Sequence, residues 1–438
     1  MANHPGQHPT FREALRFWLK LGFISFGGPT GQIAIMHTEL VEKRRWISEA
    51  RFLHALNYCM LLPGPEATQL ATYIGWLLHR TWGGIVAGTL FFLPSAFILW
   101  TLSFVYVSYG KLTWISAIFY GLKPAVLAIV ASAVIRIGRR ALKNEVMWSL
   151  AALAFVAIYF ARLPFPLIIF SAGIIGLAGG RFWQGRFVVS AGNEPGSAAT
   201  GNPVLSDEAE IPSHARPSLA RALKVCAISV LLWSAPVIGA GLWLGKNHAV
   251  FREGLFFSKA AMVTFGGAYA VLPYVAQQAV EKYSWLTAGQ MLDGLGLAET
   301  TPGPLIMVLQ FVGFLGGWNQ PGQLPPLLAA TLGAFITTWT TFVPCFLWIL
   351  LGAPHIEQMR GNTQLTAALS AVTAAVVGVI LNLAVWFGLH VILPEAKPDW
   401  FAITIATVAF AGMLKWSWDI IPVVLGAGTC GLLYKLLF

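Results

Sequence analysis

The sequence predicts an all-α integral membrane protein built as an inverted-topology tandem repeat. Each half carries six apolar segments, one connecting helix joins the halves, and broken or re-entrant helices are expected at paired FGG and PGP motifs. Three observations lead there. Of 438 residues, 57% are hydrophobic and only 11% charged, against about 25% charged in an ordinary soluble domain, too few to cover a water-facing surface. Apolar windows of the ~20 residues needed to cross ~30 Å of hydrocarbon recur about thirteen times. Finally, the second half of the chain repeats the first.

The apolar segments of the first half lie near residues 14–36, 52–78, 83–109, 112–135, 146–160 and 164–182. A seventh covers 219–244, and six more follow near 254–276, 291–317, 325–352, 364–392, 399–412 and 417–437. Between the sixth and seventh, Gln184 to Pro217 contains GNEPGSAATGNP and DEAE, a composition too polar to build a core and expected to form an extramembrane linker. The expected division is a first transmembrane repeat over 1–183, a cytoplasmic linker over 184–218, a connecting helix over 219–246 and a second, inverted repeat over 247–438.

A shift of 239 residues aligns Phe26-Gly27-Gly28 with Phe265-Gly266-Gly267, Trp46 with Trp285, and Pro63-Gly64-Pro65 with Pro302-Gly303-Pro304. Between residues 20 and 70, 14 of 51 positions are identical without a gap. Phe11-Arg12-Glu13 recurs as Phe251-Arg252-Glu253 at offset 240, and Pro94 meets Pro344 at offset 250. Such self-similarity precedes any other fold assignment. The cationic loops Lys43/Arg44/Arg45/Arg51 and Arg136/Arg139/Arg140/Lys143 have repeat equivalents holding only Lys282 and only Lys397. The equivalent loops are therefore expected on opposite sides of the membrane, with the N-terminus and linker cytoplasmic and the C-terminus outside. The same bias favours re-entry of the two broken segments that open each half.

Composition also narrows the function. The net charge of +10 would suggest nucleic acid in a soluble protein, but beside a membrane it marks loops facing anionic lipid, so no nucleic-acid partner is expected. Cys59, Cys226, Cys345 and Cys430 are far apart, lack CxxC spacing and read as small core residues rather than a disulfide or zinc framework. The nine histidines show no HExxH spacing, so a membrane-embedded enzyme is a remote alternative. No cofactor or metal is expected. The N-terminal residues lack the basic-then-apolar pattern of a removed signal, so the first apolar segment is expected to stay.

Helix-breaking residues at matching positions of inverted repeats point to a transport site. The glycines Gly27, Gly28, Gly266 and Gly267 can leave helical geometry without a Cβ clash and expose backbone N–H groups at a positive helix end, which favours an anion. The second break, at Pro63, Gly64, Pro65 and Pro302, Gly303, Pro304, removes donors and frees carbonyls nearby. Lys20 and Lys259 stand six residues before the Phe of each FGG, and Lys123 lies in an apolar run; these are the candidate counter-charges. Gln69, Thr300 and Thr301 are candidate donors to a substrate. Glu66 follows the first PGP and Glu299 precedes the second by three. A carboxylate in a low-dielectric interior can exchange protons near neutral pH, as coupling requires, so these two are the coupling candidates. Trp46 and Trp285 are expected at the membrane interface, each followed by a helix N-cap, Ser48 or Thr287.

On F26GGPTGQIA34, the basic loop ending in Trp46, L62PGPEATQLA71, F265GGAYAVLP273 and T300TPGPL305, the chain resembles the chromate ion transporter family, the long-chain type with two homologous halves. The resemblance covers essentially the whole length. It implies secondary active efflux of chromate across the bacterial cytoplasmic membrane, driven by the membrane potential or a proton gradient, with sulfate a competitor of the same tetrahedral shape. An oxyanion channel or uptake carrier is the alternative. The implied partners are an inorganic oxyanion, protons, the lipid bilayer and, as a candidate, a second copy of the chain.

Overall fold

A computed structural model describes residues 8–26, 28–187, 204–205, 218–355 and 363–437. Those residues are almost entirely helical and contain no β-sheet. Seven helices among them are long and apolar enough to cross a membrane. Many large apolar side chains, such as Phe97, Trp148, Leu153, Phe170, Ile174, Leu231 and Trp243, face outward, as a lipid-facing surface requires.

The element order runs twice. In the first half α1 (Phe11–Ile24) breaks before α2 (Gly28–His37), which runs on into a π turn (Thr38–Lys43). Next come α3 (Glu49–Leu61), α4 (Glu66–Tyr109), α5 (Thr113–Ala141), α6 (Glu145–Tyr159) and α7 (Phe165–Phe182). A short α8 (Gln184–Phe187) and the connecting helix α9 (Leu219–Leu244) lead to the second half. There α10 (Ala249–Val263), α11 (Ala268–Ala276), a second π turn (Gln277–Lys282) and α12 (Ala288–Thr300) repeat the opening. They are followed by α13 (Val308–Asn319), α14 (Pro326–Gly352), α15 (Thr363–Ile392), α16 (Trp400–Lys415) and α17 (Ile420–Leu437). The two π turns stand at the same 239-residue offset as the sequence motifs. At that offset too, Ser48 caps α3 through the Arg51 N–H and Thr287 caps α12 through the Gln290 N–H.

α4 is two helices rather than one. His79 (φ −135°, ψ 34°) and Arg80 (φ 55°, ψ −153°) leave helical geometry, and the arms fold back on each other. A Cβ on Gly75 would stand 2.5 Å from the Gly83 carbonyl oxygen, and one on Gly83 would stand 2.2 Å from that of Gly75. The second half builds the same hairpin with a loop, α13 against α14, where Gly313 and Gly333 bring the backbones equally close. The apolar segments 52–78 and 83–109 are thus separated by a two-residue kink instead of a loop.

Two expectations are corrected by burial. Trp46 and Trp285 sit in the core, Trp46 against Phe17 and under the Arg44 guanidinium, Trp285 stacked on Tyr283 at 4.5 Å. Of the cysteines, Cys59 and Cys345 are buried, but Cys226 is half-buried and Cys430 exposed. Among the described residues, the linker touches the body at Phe187 and at Leu205. Phe187 packs on Gly179. Leu205 is buried, receiving the Ser48 N–H on its carbonyl at 3.1 Å and donating to the Trp46 carbonyl at 3.1 Å, in a parallel bridge with Ile47.

Deleting Gly192 to Asn202, which includes no large apolar residue, should leave the melting temperature and transport unchanged. Leu205→Ala should destabilise the detergent-solubilised protein by about 2–3 kcal/mol, measured as a fall in melting temperature.

Candidate functional site

Each half breaks its first helix in the same way. Ser25 (φ −82°, ψ 83°) ends α1, and its hydroxyl donates back to the Leu21 carbonyl at 2.7 Å. Thr264 (φ −80°, ψ 80°) ends α10 and donates to the Ala260 carbonyl at 2.6 Å. Such back-bonding competes with the helical ladder and bends the chain away. The carbonyls of Ser25 and Thr264 are left pointing out of their own helices, in need of a donor.

That donor comes from the other half. Pro63 and Pro65 have no N–H, so Gly64 holds the one backbone donor of its PGP, and Gly303 likewise. The Gly303 N–H donates to the Ser25 carbonyl at 2.8 Å and the Gly64 N–H to the Thr264 carbonyl at 2.7 Å. These bonds are equivalent under the 239-residue shift. Gly64 (φ +124°) and Gly303 (φ +101°) occupy backbone space that L side chains rarely adopt. A Cβ on Gly64 would come within 3.0 Å of the Cys345 sulfur, and one on Gly303 within 2.6 Å of the Ser95 Cβ. Ser95 and Cys345 follow the paired Pro94 and Pro344 in sequence, so each PGP is held between the break and the proline-bearing helix of the opposite half. Gln32 adds a further cross-half bond, Nε2 to the Gly303 carbonyl at 2.5 Å.

Beside these contacts is open space. Gly28 (φ +68°) and Gly267 (φ +87°) open α2 and α11; both are buried, yet a Cβ on either would meet nothing within 4 Å. Gly266 (φ +78°) faces Val376 at ordinary contact distance, and Gly27 lies outside the described residues. An apolar groove of about 760 Å³ at the α4 kink, lined by Phe11, Leu78, His79, Arg80, Trp82 and Val86, includes none of the break residues.

The predicted polar residues fall into different settings. Gln69 is buried and donates to the Pro63 carbonyl at 2.8 Å, bracing its own PGP. Thr300 and Thr301 donate to the Leu297 and Ala298 carbonyls of α12, so these hydroxyl protons are engaged. Lys20 and Lys259 are exposed. Lys123 on α5 lies 3.8 Å from Oδ2 of Asp293 on α12, and the same oxygen accepts from the Tyr106 hydroxyl at 2.8 Å. Glu66 is the first residue of α4 and partly exposed. Glu299 is buried and accepts a hydrogen bond from Tyr269, two residues after Gly267.

Three residues of this region were missed by sequence reasoning. Arg136, counted above as loop charge, belongs to α5, is half-buried, and interacts with both Tyr269 and Glu299. A helical reading could have found it, since the buried stripe Val126–Val130–Ala133 continues onto position 136 at spacings of three and four. Tyr269 replaces Thr30 in the repeat and carries no motif of its own. Ser95, buried against Gly303, has a hydroxyl without a partner among the described residues. Among those residues no group of three His, Cys, Asp or Glu side chains is placed to hold a metal.

The chromate transporter family profile matches residues 12–177 and 252–432, the two halves on either side of linker and connecting helix. The chain belongs to the chromate transporter family. It is 28% identical to the chromate transport protein of Cupriavidus metallidurans over 99% of this chain and 96% of that one. It is 31% identical to the chromate transport protein of Pseudomonas aeruginosa over 94% of this chain and 90% of the relative. An uncharacterised transporter of Methanocaldococcus jannaschii is 25% identical over 93% of this chain. No solved structure matches. As a member of this family with seven candidate spans among the described residues, the chain is a multi-pass membrane transporter.

Gly28→Val and Gly267→Val should abolish transport by filling the space in front of the breaks and by forcing a β-branched residue to positive φ, at a cost of about 1–3 kcal/mol in strain. Alanine at either position should retain part of the flux, because no atom stands where its Cβ would go. Uptake into inverted vesicles, normalised to protein inserted, measures the difference.

Proposed function

We propose that this protein exports chromate, or a tetrahedral oxyanion of the same charge and shape such as sulfate, across the bacterial cytoplasmic membrane. The observation that carries this reading is the reciprocal docking of each PGP on the opposite break, beside the two open glycines. At each dock it sets the broken helix end of one half against the PGP turn of the other, and such exposed helix ends suit a small anion. The names of the long relatives supply the oxyanion. An inside-negative potential drives a dianion outward by about 2.3 kcal/mol per charge per 100 mV, which supports export, with a proton gradient as a second source of energy.

The substrate sits near Gly28 and Gly267, between an inward-opening and an outward-opening half. The first helix pairs of each half are short: α1 has 14 residues and α2 10, α10 has 15 and α11 9. At 1.5 Å per residue none spans ~30 Å of hydrocarbon, which supports re-entry. In this arrangement the second repeat, 247–438, is inverted relative to the first, 1–183, with the 184–218 linker cytoplasmic and the 219–246 helix crossing between them. Two helix ends offer about half a charge each, too little for a dianion, so a cationic side chain is required. Arg136 fits best, next to Tyr269 and close in sequence terms to the Gly267 break through it. Lys123 is already engaged by Asp293, and Lys20 and Lys259 face outward. Protonation of Glu299 would release Arg136 to the substrate; Glu66, at the first turn of α4, is the second coupling group.

Counterflow of labelled chromate and of sulfate into liposomes containing only this protein tests the reading, and absence of both overturns it. Arg136→Met should lower oxyanion affinity at least tenfold, with Lys partly replacing it, while Lys20→Met and Lys259→Met have smaller effects. Gln at Glu66 or Glu299 should spare exchange of labelled substrate and weaken gradient-driven uptake into inverted vesicles. For orientation, single cysteines at Ser197 and Phe438, in a background without the native four, should differ in labelling by an impermeant maleimide on intact cells. Both positions lie outside the described residues, and equal labelling would refute the inverted arrangement.

A further inference from the structure

The Phe-Arg-Glu motif that opens both halves has no part in the site above, and its two glutamates have opposite surroundings. Glu13 closes a capping box at the start of α1, accepting the Thr10 N–H at 2.8 Å. Glu253, on α10, is fully buried, and neither carboxyl oxygen has a hydrogen-bond partner among the described residues. Its carboxyl occupies a socket made by two glycines. A Cβ on Gly316 of α13 would stand 2.1 Å from Oε1, and a Cβ on Gly333 of α14 2.6 Å from Oε2. The Trp285 ring closes the socket beside Gly316. The α13–α14 hairpin is therefore shaped to admit a carboxyl and nothing bulkier.

No compensating charge reaches it. α13 and α14 contain no acidic or basic residue, and no charged group of α9 or α11, which also pack on α10, acts on it. On its own helix Arg252 turns outward to Asn247 at 3.2 Å and Lys259 is exposed. An ionised carboxylate buried without partner or counter-charge costs several kcal/mol or more, whereas the neutral acid loses far less.

Building on the transport reading, we infer that Glu253 is a proton-binding site whose occupancy is tied to the closure of the α13–α14 hairpin on α10. With the hairpin closed the carboxyl holds its proton. Separation of the hairpin from α10 admits water, lets the proton leave and stabilises the open form, so that movement of these helices during transport carries a proton on and off at one face. The process is a protonation equilibrium alone, with water as acceptor and no other bond made or broken.

Two measurements test this. Infrared spectra of the purified protein at neutral pH, without substrate, should contain a protonated-carboxyl C=O band that is diminished in Glu253→Gln; an unchanged band overturns the inference whatever the protein transports. In liposomes at fixed membrane potential, one coupled proton changes the accumulation ratio about tenfold per pH unit of gradient. Glu253→Gln should lose the share of that dependence due to Glu253 while keeping labelled-substrate exchange, and a variant as gradient-sensitive as the parent overturns the coupling. If the Gln variant does not fold, Glu253→Asp should keep the band and the gradient dependence with a shifted pH midpoint, and a band lost in the folded Asp variant overturns the inference. Failure of the parent to exchange any oxyanion would defeat the transport reading and leave the infrared result standing.

Discussion

A backbone N–H or carbonyl in the middle of a membrane must find a partner within the protein, because lipid offers none. A helix satisfies this along its length and fails where it breaks. Here both halves break, and the failures cancel: the carbonyl released at Ser25 takes the Gly303 N–H, and the one released at Thr264 takes the Gly64 N–H. The prolines on either side of each glycine leave that N–H as the tripeptide's single donor, and positive φ aims it across the interface. The open space at Gly28 and Gly267 begins three residues beyond the two bonded carbonyls.

The backbone is symmetric where the side chains are not. The caps, π turns, breaks and reciprocal bonds recur at one offset. Glu299 with Tyr269 and Arg136, Asp293 with Lys123 and Tyr106, and buried Glu253 all place their acids in the second half, opposite Met60, His54 and the half-buried Glu13. Duplication supplies the scaffold, and divergence of the copies supplies the titratable groups, these three acids in the second half and Glu66, Lys123 and Arg136 in the first. The two Arg- and Lys-bearing pairs join α5 of the first half to elements of the second, so charge contributes to holding the halves together as well as to any coupling.

Much of this was legible from residues alone, because motif pairing depends only on order along the chain. The FGG and PGP breaks, the Ser48 and Thr287 caps and the apolar segments fall where their residue types require. What could not be read depends on reach across space. Arg136 looks like loop charge when its neighbours Arg139 and Arg140 are counted with it, yet a turn of helix carries it inward. Trp46 and Trp285 look like interface anchors until the ring of Phe17 or Tyr283 covers them. The threonines after Glu299 look like free donors, but their own helix uses them. Pairings separated by more than two hundred residues, such as Gln32 with Gly303, have no local signature.

The bridge between Ile47 and Leu205 carries a topological consequence. A polar linker cannot thread a bilayer, so the ends of α8 and α9 and everything tied to Leu205 share one face, including the loop before α3. From that loop to the linker the chain must therefore make an even number of passages. The second arm of α4 and the helices α5 and α7 are long enough to cross, whereas α6 is shorter, so the passages made by α6, α3 and the first arm of α4 must together add up to an odd number. Three backbone hydrogen bonds on an otherwise polar tether thus act as a parity constraint on the first half from α3 onward, independent of any count of lysines and arginines.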